Sequence, residues 1–479
     1  MRDLMFAVAW MALMPLSLMS AHIGVLVWVW VALLSPGELL YGFMAGVPFN
    51  KIVAVITLGM ILASRERKDP YFDGMSLLLV LLAMAATMSW AGAIVSTPDG
   101  TDLYLKLIKE IVLAFAIMAV MMTRHRMHLL ALTIALSFGF IAVKEGLIFL
   151  LTAGGHKVVG TGSVGDNNSL ATALLMIVPL IYYLARYSAV RAIRIGLLAA
   201  MALALVTVVA TYSRGGFVGL LVLGGFLVKN SRNKLGSLAL VAVAGILTYV
   251  LAPDSWFDRV NTINDVSNDG SFMGRVVAWK ISWLIAMDNP LFGGGFHAVQ
   301  RFVVWDTYRP LLYVLDFIKT PPADNVPHAA HSTYFELIGD LGFVGFGLFM
   351  ATMAMAFWNC FRIGRMCRGH PSLTWAGDLA RMMQISLIVY AVTTAALSMG
   401  YFELYYILVA LTSRCRRTVQ LAVHGLAAEV RAVRHAPGQR APNARPGDGS
   451  VGDGSLGDGR PVPAFARQPG RTASPAGTR

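Results

Sequence analysis

The chain has 479 residues, 57% of them hydrophobic and only 14% charged, with a mean hydropathy of +0.64; a soluble domain carries roughly 25% charged residues. No soluble core of this length could bury so much apolar side chain, so the composition excludes an ordinary soluble enzyme and calls for repeated membrane helices of about 20 residues. The net charge of +13 is a poor sign of nucleic-acid binding, because eleven arginines against four acids after residue 413 supply more than half of it.

In chain order, apolar runs predict spans near 4–19, 21–35, 50–64, 74–94, 107–122, 129–151, 169–185, 195–211, 214–228, 236–252, 332–360, 376–397 and 401–413. Pro15, Ser20 and His22 interrupt the first run. The first two spans are therefore one hairpin or one broken helix, and the expected total is twelve or thirteen. Met1-Arg2-Asp3 is followed by more apolar sequence than a signal peptide uses, without a clear small-residue cleavage site, so no cleaved leader is expected.

Basic clusters recur at alternate turns: Arg65 to Lys68, Arg124 and Arg126, Arg186 to Arg194, Lys229 to Lys234, Arg362 to Arg368, and Arg414 to Arg417. The loops between them, near 36–49, 95–106, 152–168 and 253–331, have few excess cations. Placing the basic set in the cytoplasm obeys the positive-inside rule throughout. The long loop 253–331 then faces outward and the C-terminus inward; an even helix count puts the N-terminus inside, an odd count outside. Cys360, Cys367 and Cys415 all lie beside basic clusters, which fits a reducing compartment and no disulfide framework.

Three regions follow: N-terminal transmembrane helices over 1–194, a core over 195–413 that includes the loop 253–331, and a basic, largely disordered tail over 414–479. The loop contains a helical-looking piece from Phe272 to Trp283, in which Arg275 and Trp279 share a face, and then a Gly-rich turn from Asn289 to His297. This mixture predicts a folded cap. In the tail, the repeat Gly447–Gly459 has an Asp-Gly rhythm but the wrong spacing for calcium-binding nonapeptides, and reads as disorder.

Two signals bracket the loop. Ser213-Arg214-Gly215-Gly216 puts an arginine at the opening of an apolar helix. Its planar fork matches phosphate oxygens, and a helix start presents amides to an anion; the bland alternative is a turn arginine reaching for lipid headgroups. Arg275 is a second cation, with Arg259, Arg301 and Arg309 weaker candidates. His331 opens the next apolar helix, where the positive dipole end keeps imidazole neutral and able to accept a proton. His328 is an alternative base. Glu336 could orient partners or pair inside the bundle. Asp166-Asn167-Asn168-Ser169 reads first as a helix N-cap that could also touch a sugar. No metal signature, phosphate-binding glycine loop or dinucleotide fingerprint is present, so neither a metal nor a cofactor is expected.

The Ser213-Arg214-Gly215-Gly216 turn, the loop motifs Gly274-Arg275-x-x-x-Trp279 and Asn289-Pro290-Leu291-x-Gly293-x-Gly295, and the closing His331-Ser332-x-Tyr334-x-Glu336 resemble the O-antigen ligase and polymerase superfamily over Thr211–Gly345. The region near Leu34–Phe49 is similar to the O-glycosylation ligases associated with exosortase A systems. The resemblance implies an all-α, polytopic, GT-C-like glycosyltransferase of the bacterial inner membrane with one large periplasmic loop containing short helices. It implies metal-independent transfer of a glycan from undecaprenyl pyrophosphate to a protein or lipid acceptor. Arg214 and Arg275 would contact pyrophosphate, His331 would activate the acceptor, and Ser213, Gly215, Gly216, Trp279 and Glu336 would support them. The alternatives are a polysaccharide polymerase, which shares the donor site, and a transporter of polyprenyl-linked glycans. No convincing internal repeat of the transporter kind is visible.

Overall fold

The computed structural model describes residues 2–66, 68–160, 162–230, 234–235 and 270–435. The expected span at 236–252, the loop segment 253–269 with Arg259, and the Gly447–Gly459 repeat lie outside the described residues. Helices are α1 Arg2–Met19, α2 Ala21–Leu34, α3 Phe49–Ala63, α4 Gly74–Ala91, α5 Pro98–Val120, α6 Arg124–Leu151, α7 Asn167–Tyr187, α8 Arg191–Ala210, α9 Arg214–Asn230, α10 Gly270–Asp288, α11 Phe302–Tyr308, α12 Thr333–Met366, α13 Thr374–Thr393 and α14 Glu403–His435. No strand occurs among the described residues. Residues 1–427 form one unit and 428–479 a second; of the latter, only the last turns of α14 are described.

Among the described residues, seven helices are long and apolar enough to cross a membrane: α1, α4, α6, α7, α8, α12 and the stretch Pro371–Ala396 around α13; α2, α3 and Arg214–Phe226 of α9 are shorter apolar helices. A membrane leaves no water for backbone amides, so apolar runs close their hydrogen bonds within the segment as helices. Side-chain caps fix several starts: Asp73 accepts from the Ser76 amide, Thr97 from Gly100, Thr123 from Arg126, and Asp166 from Asn168 and Ser169. The apolar surface splits in two. α7 is buried along 83% of its apolar window and packs against α6, α8, α9 and α13. Met5, Met11, Leu62, Phe140 and Leu151 are exposed, as lipid-facing side chains are.

The α1–α2 ambiguity resolves as two helices. Pro15 lies inside α1 without ending it, the break falls at Ser20, and α1 packs back on α2. Two ends of the bundle are then defined by contacts. At one, Glu66 binds Ser20, His22 and Arg126, Asp69 pairs with the buried Arg414 at 3.1 Å, Asp73 with Arg416 at 2.7 Å, and Asp378 accepts from Tyr187 and pairs with Arg186. Four of the basic clusters are represented in or beside this set. At the other end, Arg2 donates to the Leu39 carbonyl and Asp3 accepts from the Gly42 amide, so the chain starts opposite the basic clusters.

The cap has its own apolar core of Val277, Ile281, Ile285, Val299, Val304 and Trp305 with neighbours, and is fastened at two places. Arg301 pairs with Asp99 at 2.6 Å at the start of α5. The Gly293–Gly295 turn docks on α12, which is not one straight helix: Gly342 has φ 68° and ψ −174° and kinks it. The amides of Gly294 and Gly295 donate to the freed carbonyls of Gly339 (2.8 Å) and Asp340 (3.1 Å), and Phe343 donates to the Pro290 carbonyl (2.9 Å). The approach is backbone to backbone: a Cβ on Gly293, itself at φ +66°, would lie 2.5 Å from the Gly342 nitrogen. Gly293→Ala should therefore destabilise the fold by roughly 1–3 kcal/mol. In a thermal-shift measurement in detergent it should lower the melting temperature, whereas Gly347→Ala, whose added Cβ meets nothing within 4 Å, should leave it unchanged or slightly raised.

Candidate active site

The Arg214 turn is built by α8 ending and α9 starting within a few residues. Tyr212 takes a left-handed φ of 50°, a sparsely populated conformation for a bulky residue. Its hydroxyl donates to the Gly154 carbonyl at 2.9 Å. The buried Ser213 caps α9: its Oγ accepts from the Gly216 amide at 2.9 Å. Arg214 follows with its surface exposed. The two glycines differ in use. A Cβ on Gly216 would lie 2.9 Å from that of Ala171, so this glycine lets α9 close on α7; a Cβ on Gly215 would have only the Ser213 hydroxyl, at 3.8 Å, for a neighbour. Of the two, Gly216 is the one held by packing among the described residues.

The histidine end is fixed by the first turn of α12. Ser332 is its N-cap. The Thr333 hydroxyl donates to the Leu397 carbonyl and accepts from the Met399 amide, both at 2.9 Å, and the Tyr334 hydroxyl donates to the Ala391 carbonyl. Glu336 points into the bundle, where it accepts from the Gly400 amide at 3.1 Å; of the two readings for this residue, the geometry gives the internal one. His331, immediately before the cap, has φ 43°.

The two histidines have different surroundings. His328 Nε2 lies 3.1 Å from Asp324 Oδ2, and its ring meets Trp305 edge-on at 5.6 Å. His331 keeps an exposed surface, yet the groups crowded round its ring lower its pKa from the usual imidazole range. Loss of water contact is the largest cause, the Arg275 guanidinium the second; Asp166 opposes them and His328 adds a little. Arg275 and His331 thus stand within electrostatic reach although 56 positions apart in sequence. The weaker arginines are committed elsewhere, Arg301 to Asp99 and Arg309 to Asp306 and Asn325.

Asp166 is the residue whose place the sequence concealed. As an N-cap it was legible; its action on His331 was not, because nothing in local spacing relates positions 166 and 331. The next residue completes the connection, since Asn167 Nδ2 donates to the Thr211 carbonyl at 2.8 Å, just before the Arg214 turn. The start of α7 therefore touches the arginine turn through Asn167 and acts on the histidine through Asp166.

Residues 199–350 match the family model described as O-Antigen ligase, which takes in Arg214, Arg275 and His331. Residues 1–189 match a family of unknown function (DUF5935). No curated protein matches the chain.

Asp166→Asn separates the cap from the charge, because Asn caps a helix as well as Asp. The carboxylate holds the His331 pKa up, so its removal should move the titration of His331 to lower pH while the melting temperature is kept. The pH dependence of carbethoxylation of His331, followed by peptide mass spectrometry, measures this; an upward move would contradict the arrangement.

Proposed function

With an O-antigen ligase domain over residues 199–350, the chain belongs to the O-antigen ligase superfamily of membrane proteins, and on that premise we propose that it transfers a glycan from undecaprenyl pyrophosphate to a hydroxyl of a protein or lipid acceptor. The reaction is placed at the periplasmic face of the bacterial inner membrane. The observation that carries this reading is the grouping of Arg275, Asp166 and His331 beside an arginine-bearing helix start. In this reading a cation and a base stand together at the end of the bundle opposite the basic clusters.

In this scheme Arg214 and Arg275 hold the pyrophosphate. The acceptor oxygen attacks the anomeric carbon while its proton passes to His331. The bond from that carbon to the phosphate oxygen breaks, and the carrier leaves as its pyrophosphate with the electron pair. Cations fixed where negative charge develops are usually the largest contribution to such a step. Asp166 then stabilises the imidazolium, and one direct displacement inverts the anomeric centre. His331 is preferred to His328 as the base, because His331 is the histidine on which the Arg275 guanidinium acts. No metal enters the scheme. We read the bundle as GT-C-like. With the basic clusters in the cytoplasm, the Arg2 and Asp3 contacts favour an external N-terminus and thus thirteen spans over twelve. The N-terminal half is read as that of an exosortase-associated O-glycosylation ligase.

Arg275→Ala and His331→Ala, expressed at normal levels, should lower glycan transfer by about 100-fold or more while carrier-linked glycan accumulates; normal transfer by both variants would sink the scheme. Arg275→Lys should remain poor, because an ammonium cannot reproduce a two-oxygen grip. A length ladder retained on the carrier would instead identify a polymerase. Because the His331 pKa is lowered, the acid limb of the rate profile should fall below the ordinary imidazole value of about 6.5.

A further inference from the structure

We propose that Trp279 is a positioning residue that holds His331 in place against Arg275, through contacts on both sides of the histidine. The inference rests on the reading of His331 as the base.

The geometry is a clamp. Trp279 lies one turn after Arg275 on α10, so the two side chains share a face of that helix. Its indole Nε1 donates to the carbonyl of Ala330, the residue before His331, at 2.6 Å. The same ring stacks on Phe335, in the first turn of α12, with centroids 5.0 Å apart and planes 7° from parallel. Phe272 meets the same ring edge-on at 6.0 Å. One half-buried ring therefore grips the chain just before the histidine by a hydrogen bond and just after it by a stack.

His331 gives this grip a purpose. With φ at 43° it occupies a left-handed conformation that a side chain with a Cβ rarely adopts, and which persists only where the surroundings over-determine it. The α12 side of the residue is fixed by Thr333, whose hydroxyl bonds lie at the 397–399 segment. The side before it, 316–330, is a run of turns and irregular chain, and Trp279 binds the last carbonyl of that run. Release of that carbonyl lets the backbone relax toward negative φ, which would swing the ring away from Arg275. Since α10 carries both the clamp and the cation, the distance between the group holding the leaving phosphate and the group receiving the proton is set by one rigid helix. A displacement of about 1 Å at such a site costs up to 100-fold in rate.

Trp279→Phe keeps an aromatic ring for Phe335 and removes the indole donor. Phe335→Leu keeps the donor and removes the stack. Each is made in the full chain, purified in detergent and treated with diethyl pyrocarbonate across pH. The expected result is faster modification of His331 in both variants, with the midpoint of its titration moved up toward that of free imidazole as Arg275 and the crowding recede, while modification of His328 is unchanged. In membrane vesicles containing their own carrier-linked glycan, Trp279→Phe should slow transfer about 10-fold at saturating donor with little change in the donor concentration needed for half-maximal rate. Unaltered His331 modification in both variants overturns the proposal, as does slowed transfer with His331 unaltered. If His331 responds as expected but the unmodified protein transfers no glycan, the clamp stands and the assigned function falls.

Discussion

The break in α12 at Gly342 is the constraint on which the candidate site depends. A helix that kinks inside an apolar bundle frees carbonyls that neither lipid nor water can satisfy, and such breaks survive only where neighbouring protein supplies donors. Here the donors are the amides of Gly294 and Gly295 and the Ser89 hydroxyl, which donates to the Asp340 carbonyl at 2.6 Å. The Asp340 carboxylate extends the joint, accepting from the Ala298 amide and the Tyr401 hydroxyl. The cap is thereby bonded into the helices. Its main helix, α10, lies against α12 closely enough that a Cβ on Gly339 would come within 3.0 Å of Ser282. Docking fixes α10, and α10 fixes Arg275 and Trp279 relative to His331.

Charge is sorted along the bundle in a way that separates structure from chemistry. At the basic end, arginines are matched by Glu66, Asp69, Asp73 and Asp378, and Arg414 is 1% exposed with a carboxylate against it. A buried guanidinium demands such a partner, since an unpaired one would cost several kcal/mol. At the site end, Asp166 acts on His331 against the Arg275 guanidinium, and Asp324 lies against His328. In the proposed reaction, that arrangement would suit a ligand which brings its own negative charge.

Neighbouring residues of one motif serve different ends. Ser213 caps α9, Gly216 admits α7, and Glu336 ties α12 to Gly400; each fixes backbone near Arg214 or His331. A motif read as a unit of chemistry therefore contains more scaffold than reagent. Trp279 belongs between the two, since its ring packs in the cap while its one polar atom reaches the chain beside the histidine.

The sequence by itself determined that this is an all-helical membrane protein, because apolar runs of membrane length leave the backbone no other way to close its hydrogen bonds. It also called for the basic clusters to share one end, since charge resists burial and helices alternate in direction, and it singled out Arg214, Arg275 and His331, since cations and imidazole stand out in an apolar chain. Only the tertiary structure decided what depends on contacts between distant segments. It showed that α12 is kinked and docked by the glycine turn, that Gly216 serves packing against α7, and that His328 lies against Asp324. It also brought Asp166 to a histidine 165 positions away. Periodicity reports which face of a helix is apolar, but it carries no information on which carboxylate from another helix will lie across from a given imidazole; that is settled by the packing of the bundle.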